Sequence, residues 1–154
     1  MTDKSRGWFY VALQFVLIFL LVLSPRMDSP YGDASELVGT IGLGFIALGS
    51  GLLLFSFLGL GNSLTAHPAP KEKGQLVTTG MYSRVRHPIY FALLVMGFGV
   101  LLDAGYWPQV IAYMLLFALL NTKADFEESL LRKKYPAYDK YALKTPRFFP
   151  RLGR

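Results

Sequence analysis

The chain has 154 residues, of which 53% are apolar and 17% are charged, with a net charge of +6 and no cysteine. This length indicates one domain, and the charged fraction lies below the roughly 25% usual for soluble domains. The lack of cysteine excludes a disulfide scaffold, a Cys-ligated metal and a thiol nucleophile, and 2 histidines are too few for most histidine-rich metal sites. No metal site is expected, and a membrane protein or a nucleic-acid binder remains.

Four apolar runs predict an all-α integral membrane protein with about four transmembrane helices. They are residues 8–23, 37–60, 89–102 and 106–120. The second run is long enough for a tilted crossing of a hydrocarbon core about 30 Å thick. The last two cover only about 21–23 Å each at about 1.5 Å per residue. They predict a short helical hairpin around Asp103-Ala104-Gly105, which spans only if flanking residues extend it or the bilayer thins.

The basic residues predict the orientation of these helices. If there are four crossings, all of the 16 basic residues except Arg26 fall on one side. The positive-inside rule assigns that side to the cytoplasm, so both termini are expected there, in a bacterial inner membrane or its equivalent. Residues 1–25 have no small-residue cleavage site, which favours a retained anchor over a signal peptide.

The second apolar run also carries a face of small residues. Thr40, Gly44, Ala47 and Gly51 recur at four- and three-residue steps. Small residues let helix backbones approach closely in lipid. The pattern predicts that this face packs against another helix of the same chain; a homodimer face is the alternative, and no other feature indicates a homo-oligomer.

The first cluster of polar side chains lies just before the third apolar run. Pro88 is suited to the first turn of a helix. Arg84, Arg86 and His87 precede it, where free N–H groups and the helix dipole favour an anion. The segment therefore predicts a carboxylate or phosphate site at the membrane boundary. The alternative is that the arginines only bind lipid phosphates and set the depth of the helix.

The second cluster follows the last apolar run. Glu127 and Glu128 lie there together, ahead of Arg132. Carboxylates at this position can bind the hydroxyls or the amine of a ligand, and the alternative is a surface ion pair of Glu128 with Arg132. One polar stripe at 4-3-4 spacing comprises Asn121, Asp125, Glu128 and Arg132.

The tail over residues 135–150 mixes aromatic and basic side chains. This mixture is typical of a segment at the membrane interface. It also occurs in single-strand nucleic-acid binders, but here it follows four membrane segments. No nucleic acid is therefore expected as a partner, and the expected partners are the lipid bilayer and a lipid or hydrophobic substrate.

Taken in order, these motifs resemble the integral-membrane methyltransferases related to isoprenylcysteine carboxyl methyltransferase and phosphatidylethanolamine N-methyltransferase. The resemblance covers roughly residues 59–150. The matching segments are Asn62-Ser63-Leu64-Thr65, Pro68-Ala69-Pro70-Lys71, Leu76-Val77-Thr78-Thr79-Gly80-Met81-Tyr82, Arg86-His87-Pro88-Ile89-Tyr90, Glu127-Glu128 and Tyr135-Pro136-Ala137-Tyr138. Residues 1–154 are then a single membrane domain, with two N-terminal transmembrane helices in 1–60 and the methyltransferase-like core in 61–154.

The resemblance implies S-adenosylmethionine as the cofactor, bound between the Arg-His-Pro and Glu-Glu segments at the cytoplasmic end of the hairpin. The contacts it implies are from Tyr82, Arg86, His87, Tyr90, Glu127 and Glu128. A basic helix start suits the carboxylate of the cofactor, carboxylates suit its ribose hydroxyls or ammonium, and aromatic faces suit its sulfonium. His87→Ala and Glu128→Ala are expected to weaken cofactor binding and to leave the fold largely intact.

The implied reaction is an in-line methyl transfer in which positioning does most of the work. The acceptor is a membrane-associated or hydrophobic small molecule with a carboxylate, an amine or a thiol. No catalytic base is assigned, although His67 lies in a proline-flanked loop, and Arg147 is a candidate for orienting an anionic substrate or for anchoring the tail. The alternatives are an NADPH-dependent enzyme like the sterol reductases, which share an Arg-His-Pro-type segment, and a non-enzymatic lipid-binding subunit.

Overall fold

The computed structural model describes residues 2–24, 31–63, 74–104 and 107–151, and the longer regular elements within them are α-helices, with no strand in these ranges. The helices are α1 (Asp3–Leu23), α2 (Ser35–Leu60), α3 (Met81–Arg84), α4 (Pro88–Ala104), α5 (Trp107–Lys134) and α6 (Tyr138–Lys144). The all-α prediction is confirmed for the described residues. Gly105, in the predicted hairpin turn, lies outside them.

Local sequence signals account for the starts of α1, α4 and α5. The Thr2 hydroxyl accepts a hydrogen bond from the Ser5 amide at 3.2 Å and caps α1. Helix α4 begins at Pro88 and Pro108 lies in the first turn of α5, as the sequence predicts. Helix α5 is 28 residues long and carries both the last apolar run and the Glu-Glu pair. The acid pair is therefore held on a rigid helix and not on a loop.

The four long helices pack in the spatial order α2, α4, α5, α1. Helix α4 packs along α2, α5 packs along α1, and α4 and α5 pack against each other. In the described part of the chain, α1 and α2 do not pack against one another. The core between α1, α4 and α5 is built from aliphatic side chains such as Leu21, Leu94 and Leu116.

Large apolar side chains also cover the outside of the bundle. Phe15, Phe19 and Leu58 are 63–68% exposed, which suits a hydrocarbon environment better than water. By length and composition, residues 3–23 and 32–60 are able to cross a membrane, whereas Pro88–Asp103 is a shorter apolar helix. These features fit a membrane protein, while the count of four crossings and their orientation stay predictions.

Close packing of α2 against α4 depends on glycines in both helices. A Cβ atom on Gly42 would lie 2.7 Å from the carbonyl oxygen of Gly99, and one on Gly49 would lie 2.8 Å from the amide nitrogen of Met96. Ser56, seven residues beyond Gly49, is fully buried. The packed row of α2 thus has a seven-residue spacing, and its small residues bring the two backbones together.

The predicted small-residue face is a different one, and within the described residues the prediction that it packs within the protein is wrong. Among these residues, a Cβ atom on Gly44 or Gly51 would meet nothing within 4 Å, and Thr40 and Ala47 are exposed. Both rows of α2 consist of small residues. The row that packs is the one opposite Gly99 of α4, and the pattern within α2 alone does not contain that information.

The two rows predict opposite effects of the same substitution. Gly49→Ala is expected to destabilise the protein by about 1–3 kcal/mol, because the new methyl group meets backbone atoms of α4 that cannot move aside locally. Gly44→Ala is expected to be neutral or stabilising by up to about 1 kcal/mol, since it only improves helix propensity. Thermal unfolding in detergent measures both, and equal unfolding temperatures for the two variants would contradict this packing.

Candidate functional site

A cavity of about 410 Å³ lies where α1, α2, α4 and α5 meet the segment 74–90 and the C-terminal tail. This volume is in the range of small-molecule sites. Its apolar lining residues include Val11, Phe15, Phe57, Leu60 and Ile89, and its polar and aromatic lining residues include Gln14, Tyr82, Arg86, His87, Tyr90, Lys123, Glu127, Tyr135, Tyr138 and Tyr141. The predicted residues Tyr82, Arg86, His87, Tyr90 and Glu127 are therefore brought together in the lining of one cavity.

The Arg-His-Pro segment is fastened to the C-terminal tail through its backbone. The amide of Arg86 donates to the carbonyl of Pro146 at 2.8 Å, and the amide of His87 donates to the carbonyl of Arg147 at 3.0 Å. Two N–H groups that the sequence leaves available to an anion are thus already paired. The tail, predicted to be an interfacial segment, is a structural part of the site.

The guanidinium of Arg86 connects three parts of the chain. Its Nε and Nη2 donate to Oε1 of Glu128 at 3.1 and 3.0 Å, and its Nη1 donates to the carbonyls of Ala142 and Thr145 at 3.0 and 2.6 Å. These bonds use most of the five N–H donors of an arginine. Arg86 lines the cavity, but its main contacts hold helix α5 and the tail in place.

Glu128 is the common acceptor of this cluster. Its side chain is 0% exposed, and Oε1 accepts from Arg86, from Nε2 of His87 at 3.1 Å and from Nε of Arg147 at 3.1 Å. Oε2 accepts from Arg132 at 3.3 Å. Burial raises the pKa of this carboxyl, but the hydrogen bonds and the positive charges outweigh burial and lower the pKa to about 2. Glu128 lies behind the cavity wall and does not line the cavity.

His87 bridges the two adjacent glutamates. Its Nε2 faces Glu128, and its Nδ1 lies 3.3 Å from Oε2 of Glu127. Burial lowers the pKa of the imidazole, but the hydrogen bonds and charges of the two carboxylates outweigh burial, so the pKa is raised above its ordinary value. The imidazolium form is therefore favoured, with one carboxylate on each ring nitrogen.

Glu127 is the carboxylate that faces the cavity. Its Oε1 accepts from the hydroxyl of Tyr90 at 2.7 Å, and 20% of its side chain remains exposed. The ring of Tyr90 stacks on His87 with 5.2 Å between the centroids and 6° between the planes. Glu127, His87 and Tyr90 thus orient one another and present an acid, a cation and an aromatic face to the same space.

Tyr82 also lines the cavity. Its carbonyl accepts from the hydroxyl of Tyr141 at 2.6 Å, and the hydroxyl of Tyr135 donates to the carbonyl of Gly74 at 2.7 Å. Burial, and then the charge of Glu127, raises the pKa of the Tyr82 phenol, which stays protonated at neutral pH. These contacts fix the segment before α3 against the tail and leave aromatic faces along the cavity.

Several residues that line the cavity were not predicted from the sequence, although their spacing follows the helical period of α5. Lys123, Glu127, Leu131 and Tyr135 all line the cavity, and each follows the previous one by four residues. The 4-3-4 stripe lies elsewhere: Asn121 bonds to the carbonyl of Phe117, and the other three members contact tail residues. The acids of the stripe are recognisable in the sequence by their charge. The cavity row is harder to recognise, because it consists of a base, an acid, an aliphatic and an aromatic residue.

Of the two remaining predicted candidates, only Arg147 falls within the described residues. Arg147 pairs with Asp125 at 2.7 Å as well as with Glu128, and it does not line the cavity. His67 falls outside the described residues. Among the described residues, no group of three or more potential His, Asp or Glu ligands is placed to hold a metal ion.

The position of His87 predicts a pH dependence of stability. Because its pKa is raised on folding, its stabilising contribution is fully present below the ordinary value of 6.5 and is lost as the pH rises through the higher pKa of the folded protein. The unfolding temperature in detergent is therefore expected to fall as the pH rises above the ordinary value of 6.5 and through the raised pKa of the folded protein. His87→Gln should be less stable at the acidic end and show a flatter profile; parallel profiles for the two proteins would contradict the bridge.

Comparison with known proteins identifies the class that this fold and site define. The phospholipid methyltransferase family matches residues 37–138, which include the helical hairpin, the Arg-His-Pro segment and both glutamates. The chain belongs to this family of membrane methyltransferases. The resemblance predicted from the motifs is thereby confirmed.

Three curated relatives are similar over much of the chain. The nickel-cobalt-cadmium resistance protein NccN of Alcaligenes xylosoxydans xylosoxydans is 32% identical and the alignment covers 99% of this chain and 68% of that protein. The cobalt-zinc-cadmium resistance protein CzcN of Cupriavidus metallidurans is also 32% identical, with 99% and 67% covered. The protein-S-isoprenylcysteine O-methyltransferase of Schizosaccharomyces pombe is 29% identical over 72% of this chain and 49% of that protein.

Proposed function

We propose that this protein transfers a methyl group from S-adenosylmethionine to a membrane-associated or hydrophobic small acceptor at the cytoplasmic face of the membrane. The observation that carries the proposal is the convergence of His87 and Glu127, which contact each other, in the lining of a 410 Å³ cavity that also has many apolar lining residues. Membership of the methyltransferase family supplies the reaction class. The four crossings and the cytoplasmic position of the site are part of the proposal.

The residues present fit the chemistry of this cofactor. The remaining N–H of Arg86 suits a carboxylate, and the exposed edge of Glu127, which His87 holds in place, suits an ammonium or ribose hydroxyls through charge-assisted hydrogen bonds. The faces of Tyr82, Tyr90 and Tyr135 suit an adenine ring and a sulfonium. All six of these side chains line one cavity.

Glu128 has a different part in this proposal from the one that the resemblance implies. Because its side chain is fully buried behind Arg86 and His87, it acts as a positioning residue. It neutralises the arginines and fixes the ring of His87, so that the opposite edge of the ring is directed at Glu127. Arg147 belongs to the same supporting cluster through its bond to Glu128.

When bound, the cofactor supplies an activated methyl group, so that this chain needs no nucleophile of its own. The work left to the protein is to bind, to orient and to exclude water. Phe15 of α1 and Phe57 of α2 line the cavity, although the two helices do not pack against each other. These side chains can therefore receive the apolar part of an acceptor next to the polar lining residues.

Calorimetry on the purified protein in detergent tests this function. Saturable binding of S-adenosylmethionine and of its demethylated product is expected, and excess NADPH should not compete. A folded protein that binds neither would contradict the proposal. Transfer of a labelled methyl group to lipid extracts then identifies the acceptor.

A further inference from the structure

One buried lysine lines the cavity, but the proposed function gives it no contact with the cofactor. Lys123 of α5 is only 5% exposed, and its Nζ donates to Oε1 of Gln14 in α1 at 2.7 Å. The same Nζ lies 5.1 Å from the centroid of the Tyr90 ring. An ammonium has three donors, and Gln14 is its only hydrogen-bond acceptor within the described ranges.

The neighbouring acid does not neutralise this lysine through a direct bond. Glu127 lies one turn further along α5, but its Oε1 is bonded to Tyr90 and its Oε2 faces His87. A buried charge without a paired partner is costly. Since Lys123 lines the cavity, its unused donors are available to a bound molecule.

The residues around Lys123 indicate the class of molecule that it binds. Gln14 lies on α1 between Val11 and Phe15, and all three line the cavity. An acceptor whose apolar part lies along Val11 and Phe15 therefore has its polar end at Lys123. We propose that Lys123, held by Gln14, binds the acceptor as an anion and thereby selects anionic acceptors over amines. This inference rests on the proposed function and names the substrate class of that site.

The electron balance of the transfer agrees with an anionic acceptor. A lone pair of a carboxylate oxygen or a thiolate sulfur forms the new bond to the methyl carbon, and the pair of the broken carbon–sulfur bond goes to the sulfonium sulfur. The products are a neutral ester or thioether and a neutral sulfide. A carboxylate reacts without losing a proton, whereas a thiol must first release its proton to solvent to become the thiolate. A protonated amine has no free lone pair and is repelled by the ammonium of Lys123.

Matched ligands and matched variants test this selection. Decanoate, decanethiol and decylamine have the same chain, and calorimetry in the presence of the demethylated cofactor measures their binding directly. Wild type should bind decanoate at least about 10-fold more tightly than decylamine, and decanethiol, which is uncharged at neutral pH, should lie between them. Lys123→Met should remove this preference, whereas Lys133→Met, on an exposed position of the same helix, should retain it.

A second variant keeps the lysine and the fold. In Gln14→Glu the new carboxylate takes the place of an oxygen 2.7 Å from Nζ and neutralises the ammonium within the protein, so that anion binding should fall as it does in Lys123→Met. The ratio of the affinities for the acid or thiol and for the amine is the deciding readout, because a general structural defect lowers all three together.

The results that would overturn the role of Lys123 differ from those that would overturn the proposed function. If wild type binds the demethylated cofactor but binds decylamine as tightly as the acid and the thiol, the role of Lys123 is overturned and methyl transfer is not. The same conclusion follows if Lys123→Met retains the preference. If wild type binds no cofactor, the proposed function itself fails.

Discussion

Replacement of Glu128 by alanine is expected to destabilise the folded protein by about 3–5 kcal/mol, because it removes one partner of a buried ionic cluster. The carboxylate is 0% exposed and accepts hydrogen bonds from Arg86, His87 and Arg147. Without it, Arg86 and His87 lose their shared counter-charge, and α5 loses the bond from Glu128 to Arg147 of the tail. Thermal unfolding in detergent, followed by the fraction of protein that remains monodisperse, measures this effect.

Asp125→Ala is the matched control for this prediction. Asp125 lies on the same helix and pairs with the same Arg147, but its side chain is 66% exposed. Its loss should cost at most about 1 kcal/mol, as is usual for surface ion pairs. Equal stabilities of the Glu128 and Asp125 variants would contradict the buried cluster. The burial of Glu128 thus replaces the sequence-based expectation that Glu128→Ala leaves the fold largely intact.

Glu127→Gln is expected to weaken binding of S-adenosylmethionine and of its demethylated product by about 10- to 100-fold, the range for loss of a hydrogen bond to a charged group. Glutamine preserves the shape of the side chain and can still accept from Tyr90, whose hydroxyl lies 2.7 Å from Oε1. It removes the charge that faces the cavity and one of the two carboxylates on His87. Because Glu127 is partly exposed, the fold should be retained.

Asp139→Asn serves as the control for the loss of one negative charge near the site. Asp139 is 73% exposed and pairs with Arg132 at 3.0 Å, and it does not line the cavity. Cofactor affinity should be unchanged in this variant. Unchanged affinity in Glu127→Gln, measured by the same calorimetry on folded protein, would place the cofactor elsewhere and contradict the proposed site.

Much of the fold follows from local signals. Apolar runs without charges predict the long helices, and Pro88 predicts the first residue of α4, because proline needs no hydrogen-bond partner there. The Arg-His-Pro and Glu-Glu segments, taken with the family resemblance, also predict which parts of the chain meet at the cavity. The pairing of Arg86 and His87 with the tail carbonyls was not predictable, since nothing near residues 86 and 87 specifies a partner some sixty residues later.

By itself, the sequence determined the helical segments, their apolar character and the side chains available at each end. It did not determine which face of a helix meets which neighbour, because helical period assigns residues to faces but leaves the rotation of the helix open. Glu127 and Glu128 differ by about 100° around α5. Tertiary packing directs Glu127 into the cavity and buries Glu128 among arginines. Tertiary packing also places Lys123 in the cavity. It places the Gly49 row of α2, rather than the Gly44 row, against α4.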